Sequence, residues 1–342
     1  MLTLKDLDFS YPEELVAQTP RRPSRVMWVE EEPCEISVDQ LLEKFNPGDL
    51  LILNNTKVLK RRVFVGDLEI LFLKSKDLIH WQVLFPASRT KIGDRIELPL
   101  GETIELISKG RPQEVRSDRP LTEDYFEKIA EIPLPPYIQK ARQERHTRSE
   151  DSFWYQTAWA EKAGSLASPT ASLHFTQAHL EILKSKNIQI HFVTLHVGLG
   201  TFLPVTTEIL DQHKMHFEEV EIPIQSWQAI QEAKAKGFSV WALGTTSARA
   251  LESAAAGKLE KNELGFFGST DLMIAPPYDW KIVDKLLTNF HQPQSTLLAL
   301  VAGFSSLEKV KSCYQWAIER KFRLFSYGDL SVWIKPFEKS RE

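Results

Sequence analysis

The chain is poor in the residues that staple, anchor or ligate. Its 342 residues include only two cysteines, Cys34 and Cys313, far apart in sequence and in no Cys-x-x-Cys pairing. That excludes a disulfide framework and a thiolate zinc site, and it points to a reducing compartment. Long apolar runs are missing too. The most apolar stretch, Leu297 to Phe304, falls far short of the roughly 20 residues that a membrane span requires. The opening MLTLKDLDFSYPEEL lacks the charged-then-apolar pattern of a secretory signal, so a cytoplasmic, membrane-free protein is expected. Excess charge of one sign is absent as well. With 42 Lys and Arg against 46 Asp and Glu, the net charge is -4. Only local basic clusters, acting within a Debye length of about 8 Å, are then available to recruit an anionic partner. Nothing repeats at a fixed period. What is present is a hydrophobic content of 42%, enough over this length to bury the cores of two or three domains.

The first half reads as short strands. FVGDLEILFL, HWQVLF and the hairpin-like DRIELPLGETIELI alternate polar and apolar positions between about Val63 and Arg116. This predicts a small β-barrel or sandwich. From Gly110 to Arg148 the chain turns rich in proline and charge, the composition of a connector, and a domain boundary falls near Glu150. The second half alternates helix and strand. Thr176 caps a helix to about Lys186, with Phe175 and Leu180 at hydrophobic-staple spacing. A strand at 188–197 follows. Trp227 and Ile230 mark a helix that Gly237 ends; FSVWAL is a strand, and TTSARALESAAA is a helix with Gly257 just past it. The expected fold is α/β with a mixed sheet, plus a smaller β-barrel-like domain inserted in the first half. Residues 1–59 and 150–342 would form a discontinuous catalytic domain and residues 60–149 the insert. In such sheets ligands collect at strand carboxyl ends and helix N-termini, where VTLHVGLG and ALGTTSAR both fall.

Several polar constellations stand at these ends. Period two puts His196 on one strand face with Ile190, Phe192 and Thr194, before a turn in which Gly198 and Gly200 permit close backbone approach. A core histidine bonded to backbone is the bland alternative. No third glycine or opening helix follows, so the turn is not a dinucleotide-binding fingerprint. Gly244-Thr245-Thr246-Ser247 offers free N–H groups and hydroxyls to a carboxylate or nucleoside, or else a plain helix cap. His213, His216 and Glu218 have the donor types of a metal site but no His-Glu-x-x-His spacing. Thr288-Asn289-Phe290-His291 gathers an amide and an imidazole before an apolar helix beginning near Pro293 or Gln294. The basic runs KVLKRR (57–62) and KARQERHTR (140–148) are phosphate-contact candidates or solvated faces. Nine tryptophans are core residues or stacking surfaces.

The ordered segments DFSYPEELVAQTP, RRPSR, GDLLILNNTKV, IPLPPYI, YQTAWA, GSLASPTASLHFT, VTLHVGLGTFLPV, HKMHFE, LGTTSARALES, TDLMIAPPY, VDKLLTNFHQPQSTLLALV and FRLFSYGD resemble one family along nearly the whole chain. It is the S-adenosylmethionine:tRNA ribosyltransferase-isomerase family of queuosine biosynthesis. The β-rich insert carries the resemblance least. Asn55, Lys57, Ser172 and Pro277 depart from the family's usual Asp, Arg, Gly and Gly, and Gln294 takes a variable position. Ser172 matters most, because a side chain replaces glycine in a ligand-binding loop.

The resemblance implies a specific chemistry. The ribosyl part of S-adenosylmethionine passes to the aminomethyl group of a 7-deazaguanine at the tRNA wobble position and is rearranged, giving epoxyqueuosine and releasing adenine and methionine. Neither metal nor nicotinamide is required. The tRNA partners implied carry GUN anticodons and accept Tyr, His, Asp or Asn. The sulfonium acidifies the adjacent 5′ hydrogens, so the reaction needs a base near neutral pKa. His174, His196, His216 and His291 all lie in matching segments, and which one acts is open at this point. Another histidine or Asp271 would protonate the departing adenine. Arg249 or the Thr245-Thr246 helix start would bind the methionine carboxylate, and Gly198, Gly200 and Asn289 complete the expected binding set. The target base must leave its stack, which an anticodon loop makes easy. Two rivals remain: a metal-dependent hydrolase on His213, His216 and Glu218, and a noncatalytic tRNA-binding relative.

Overall fold

Four apolar runs, LLILN, QIHFVTL, VWAL and KLLTN, form the parallel centre of a ten-stranded mixed sheet. The computed structural model describes residues 2–202, 205 and 207–335; Leu203 and Pro204 of the VTLHVGLGTFLPV segment lie outside them. The central strands are Gln189–Leu195, Leu50–Asn54, Val240–Leu243 and Lys285–Asn289, side by side in that order. Strands buried on both faces need apolar residues throughout, and Leu50–Asn54 and Val240–Leu243 are buried at every position. Beyond Gln189–Leu195 lie Glu218–Pro223, Gly265–Thr270 and Glu260–Asn262, all antiparallel. At the other side Leu330–Ile334 is antiparallel to Lys285–Asn289, followed by Arg25–Val29 and Pro33–Ser37.

Alternation along these strands feeds two cores. Ile52, Val193, Leu195, Ala242 and Leu286 pack with the helices Ile224–Ala235, Thr245–Ala255 and Thr296–Phe304. Leu51, Leu53, Trp241 and Leu243 pack on the opposite face with the helices Val38–Leu42 and Gln177–Ser185. The last helix starts where expected. Thr176 and His179 form a capping box, and Phe175 and Leu180 are buried in one cluster. The apolar helix expected near Pro293 begins later, because Ser295 takes the cap by accepting from the Leu298 N–H.

The first-half strands make a second, seven-stranded antiparallel sheet between residues 62 and 131, around a core of Val63, Phe72, Trp81, Val115 and Phe126. It curls like half a barrel, with Arg95–Glu97 and Ala130–Glu131 at its two ends. The stretch read as a connector proves structured. It contains the strand Gln113–Ser117 and the helices Glu123–Ile129 and Pro136–Arg142. QEVRS does alternate buried and exposed positions, but Val115 is its one large apolar residue, so composition hides the period.

Helix Pro136–Arg142 is tied down by charge. Arg142 makes a bidentate pair with Asp151 at 2.6 and 2.9 Å, with the two side chains 1% and 0% exposed. Arg142 also donates to the Gln18 carbonyl, and the Tyr327 hydroxyl donates to Asp151. Burial pushes the Asp151 carboxyl up, but the Arg142 guanidinium and the Arg148 N–H outweigh it and hold the group below its ordinary value. This knot joins the end of the second sheet to the N-terminal segment and to the loop carrying Tyr327. Asp151→Ala leaves a buried guanidinium unpaired and is expected to cost about 3–5 kcal/mol in chemical denaturation; a loss below about 1 kcal/mol would show that the knot is not structural.

Candidate active site

At the carboxyl edge of the central strands, each chain exits into polar residues. Val240–Leu243 turns through Gly244, whose φ of 92° suits glycine, into helix Thr245–Ala255. The Gly244 N–H continues the ladder to the neighbouring strand, donating to the Leu287 carbonyl at 2.7 Å. Among the described residues no side chain caps this helix, which leaves its first-turn N–H groups without a capping partner there. Lys285–Asn289 ends in Asn289 and continues to His291, and Gln189–Leu195 continues to Val197. Between them lies a cleft of about 410 Å³, also bounded by residues 167–171, by the segment carrying His213 and His216, and by Phe325 and Ser326.

The cleft is polarised. At one end the buried Arg249 is held by Glu218 through Nη1 and by the Leu272 carbonyl through Nε at 3.3 Å, while Nη2 has no partner among the described residues. Thr246 Oγ1, one turn earlier at the helix start, is also buried with no partner among the described residues. Two hydrogen-bond donors and free helix N–H groups make an anion receptor. At the other end, with three strands between Glu218–Pro223 and Lys285–Asn289, are Asn289 Oδ1 and Ser168 Oγ, both buried with no partner among the described residues, near the aromatic side chains of Tyr137, Tyr155 and Phe325. Burial raises the hydroxyl pKa of Tyr155, and that of Tyr137 is pushed up to about 12, so both stay neutral. This end suits an uncharged flat group.

The sequence-based site residues divide accordingly. Gly200, His216, Thr245, Thr246, Arg249, Asn289 and His291 line the cleft. His291 is bonded through Nε2 to Thr288 Oγ1 at 2.8 Å, and burial lowers its pKa to about 3, so it stands neutral. His174 lies one layer back, bonded to Ser24 and Asn289. Gly198 is also behind the cleft, donating its N–H to Glu218 Oε1 at 3.2 Å. Asp271 does not line the cleft: it pairs with Lys258 at 2.6 Å, which holds its carboxyl low and leaves it no proton to give adenine at neutral pH.

His196 is placed on the opposite side. The expected alternation holds, but the face that opens on the cleft is that of Val193, Leu195 and Val197. The His196 ring instead bonds to Thr56 Oγ1 at 2.7 Å and is covered by Gly164, where a Cβ would come within 2.7 Å of it. Period two groups residues by face without saying which face is open. The metal reading of His213, His216 and Glu218 fails on Glu218, which is committed to Arg249 and Gly198. Among the described residues no three His, Cys, Asp or Glu side chains gather as a donor set.

The basic runs are also spoken for. Lys60, Arg61 and Arg62 pair with Glu127, Glu123 and Glu69; Lys140, Arg142, Arg145 and Arg148 pair with Glu13, Asp151, Asp67 and Glu144. Lys57 alone is exposed with no ion pair among the described residues. Two departures from the family pattern find local reasons. Asn55 accepts from Thr194 and donates to Glu161 Oε2 at 3.2 Å, a contact that an aspartate would turn into repulsion. Ser172 sits in a 3-10 turn without positive φ, so glycine's freedom is not needed there. Ser168, Tyr155 and Ser326 were missed individually; their signal lay in the segments GSLASPTASLHFT, YQTAWA and FRLFSYGD.

The mixed α/β fold with its polarised strand-edge cleft belongs to a known class. The chain matches the family described as queuosine biosynthesis protein over residues 4–333, and it is a member of that family. It is 41% identical to the S-adenosylmethionine:tRNA ribosyltransferase-isomerase of Halothermothrix orenii, covering 96% of this chain and 98% of that one. Identity to the protein of the same name from a Sulfurihydrogenibium species is 39%, with the same coverage. The crystal structure of S-adenosylmethionine tRNA ribosyltransferase from Thermotoga maritima superposes with a TM-score of 0.54 at 28% identity, over 96% of this chain and 99% of that one.

Because His196 packs away from the cleft, His196→Ala is expected to leave a void under Gly164 and lower stability by about 1–2 kcal/mol, with kcat/KM within about threefold of wild type. A loss of turnover far beyond the loss of stability would return His196 to the site.

Proposed function

We propose that the chain is an S-adenosylmethionine:tRNA ribosyltransferase-isomerase. It moves the ribosyl group of S-adenosylmethionine onto 7-aminomethyl-7-deazaguanine at the tRNA wobble position and rearranges it to epoxyqueuosine, releasing adenine and methionine. The observation that carries this reading is the polarity of the cleft. Arg249 Nη2 and the Thr245-Thr246 helix start fit a carboxylate, and the neutral, aromatic-walled end at Asn289 fits a nucleobase. S-adenosylmethionine carries those two groups at its opposite ends. Its sulfonium and ribose then fall near the middle, within reach of the cleft imidazoles.

Of the imidazoles that line the cleft, His213, His216 and His291, proton transfer belongs to His216, since burial lowers the His291 pKa to about 3 and takes it out of acid–base work. It accepts the proton lost beside the sulfonium. Methionine leaves as a neutral thioether, taking the C–S electron pair, and adenine leaves with a proton on its ring. The enzyme is cytoplasmic, acts on tRNAs with GUN anticodons, and requires no metal in this scheme. Residues 1–59 and 150–342 form the catalytic domain, with 60–149 as an inserted domain. Among the described residues no helix is long and apolar enough to cross a membrane. Because the basic runs are paired except at Lys57, phosphate contacts fall to cations without carboxylate partners among the described residues. Arg21 and Arg22 are such cations: exposed, on the loop next to Ser24, with Arg22 bonded to the Leu173 carbonyl.

Incubating the protein with S-adenosylmethionine and tRNA bearing the precursor base should release adenine in step with base conversion. Arg249→Met should raise KM for S-adenosylmethionine about 10- to 100-fold. Bound tRNA with no adenine release would leave only the noncatalytic relative standing. Affinity for tRNA should also fall as salt rises, with a shallower slope after Arg21→Ala and Arg22→Ala; a slope unchanged by both replacements would remove that loop from the interface.

A further inference from the structure

The catalytic scheme makes no use of His174, although it is buried beside the cleft in a chain of directed hydrogen bonds. The Asn289 amide nitrogen donates to the carbonyls of Phe325 at 3.0 Å and Ser326 at 3.4 Å. Flipping the amide would set its oxygen against two carbonyl oxygens, so Nδ2 must be the atom on that side. The same Nδ2 lies 3.0 Å from His174 Nε2, which is therefore an acceptor. The imidazole proton then resides on Nδ1, 2.6 Å from Ser24 Oγ, and the Ser24 hydroxyl donates in turn to the Arg21 carbonyl at 3.2 Å. Every direction in the chain follows from two backbone carbonyls.

Those carbonyls are held with unusual care. Phe325 has a φ of 69°, costly for a bulky residue, and its carbonyl also accepts from the Gly328 N–H at 2.9 Å. Gly328 has no room for a side chain, since a Cβ would come within 2.4 Å of the Arg323 carbonyl. Burial first, then the charges of Arg22 and Arg323, lower the His174 pKa to about 3. The ring therefore stays neutral and keeps accepting at any working pH. A general acid or base needs the opposite properties.

The product of this chain is Asn289 Oδ1, buried, without a partner among the described residues and fixed as an acceptor at the aromatic end of the cleft. The charges of Arg22 and Arg323, which act on His174 behind it, disfavour a cationic donor. A ribose hydroxyl both donates and accepts, so a locked acceptor would not select it. A flat neutral group with a donor-only edge fits, and in S-adenosylmethionine that is the exocyclic amine of adenine, at the end of the molecule away from the carboxylate. We infer that His174 is a positioning residue that locks Asn289 so that Oδ1 reads the exocyclic amine of adenine. The inference rests on the reading of the cleft as the S-adenosylmethionine site.

The test is calorimetric titration, without tRNA, of S-adenosylmethionine and of its 6-oxo counterpart bearing hypoxanthine. Wild type should bind the 6-oxo form at least about 30-fold more weakly, because it sets a carbonyl against Oδ1. Asn289→Leu should bring the ratio to near one. His174→Leu should bring it to within a few-fold, and His174→Gln, which restores an acceptor for Nδ2, should recover most of it. The pH profile of kcat/KM should keep both limbs in His174→Gln. Equal binding of the two compounds by wild type overturns the assignment alone, and it needs no variant that folds. Full discrimination in His174→Leu, or a limb lost in His174→Gln, also overturns it, as does discrimination that appears only with tRNA bound, which would transfer the amine to the 7-deazaguanine. Failure of wild type to bind either compound overturns the functional reading and this assignment together.

Discussion

A buried donor or acceptor with no partner costs about 1–3 kcal/mol, and the fold gathers four around one cleft: Arg249 Nη2, Thr246 Oγ1, Ser168 Oγ and Asn289 Oδ1. The rest of the arrangement depends on this constraint. Parallel strands bring their carboxyl ends to one edge, where the ladder stops and backbone and side-chain polar groups lose their regular partners. Six others lie away from the cleft, Arg61 Nε, Glu102 Oε2, Tyr125 Oη, Thr157 Oγ1, Ser172 Oγ and Thr207 Oγ1, but many buried polar groups elsewhere are fully satisfied. Glu252, fully buried, takes the N–H groups of Lys281, Ile282 and Val283. What sets the cleft apart is that four such atoms belong to residues lining or bordering one space, where a ligand of matching polarity would complete them.

The layer behind the cleft explains how unsatisfied groups stay in place. Glu218 and the Leu272 carbonyl hold two of the three guanidinium nitrogens of Arg249, so only the third is free. Two carbonyls and one imidazole do the same for the Asn289 amide. The Arg142–Asp151 pair, through Tyr327, anchors the helix that supplies Tyr137 to the aromatic end. Preorganisation of this kind places the cost in folding rather than in binding.

Much of this was legible in the chain. Apolar runs announced the central strands, and Thr176 announced the start of its helix, although the helix expected from Pro293 or Gln294 begins only at Thr296. The polar turns after VWAL and KLLTN pointed to the edge where the cleft lies. What could not be read is three-dimensional pairing. Nothing in KARQERHTR says that its cations meet Glu13, Asp67 and Asp151 from distant segments. Periodicity grouped His196 with its neighbours but could not say which sheet face opens. His174 and His291 looked alike as histidines in family segments, and only their partners separate an imidazole on the cleft from one that aims an amide.

A crystal structure with S-adenosylmethionine bound tests the central claim most directly. The account predicts the carboxylate on Arg249 Nη2 and the Thr246 hydroxyl, with the adenine amine on Asn289 Oδ1. A nucleoside seated elsewhere, with those buried atoms still unpartnered, would contradict it.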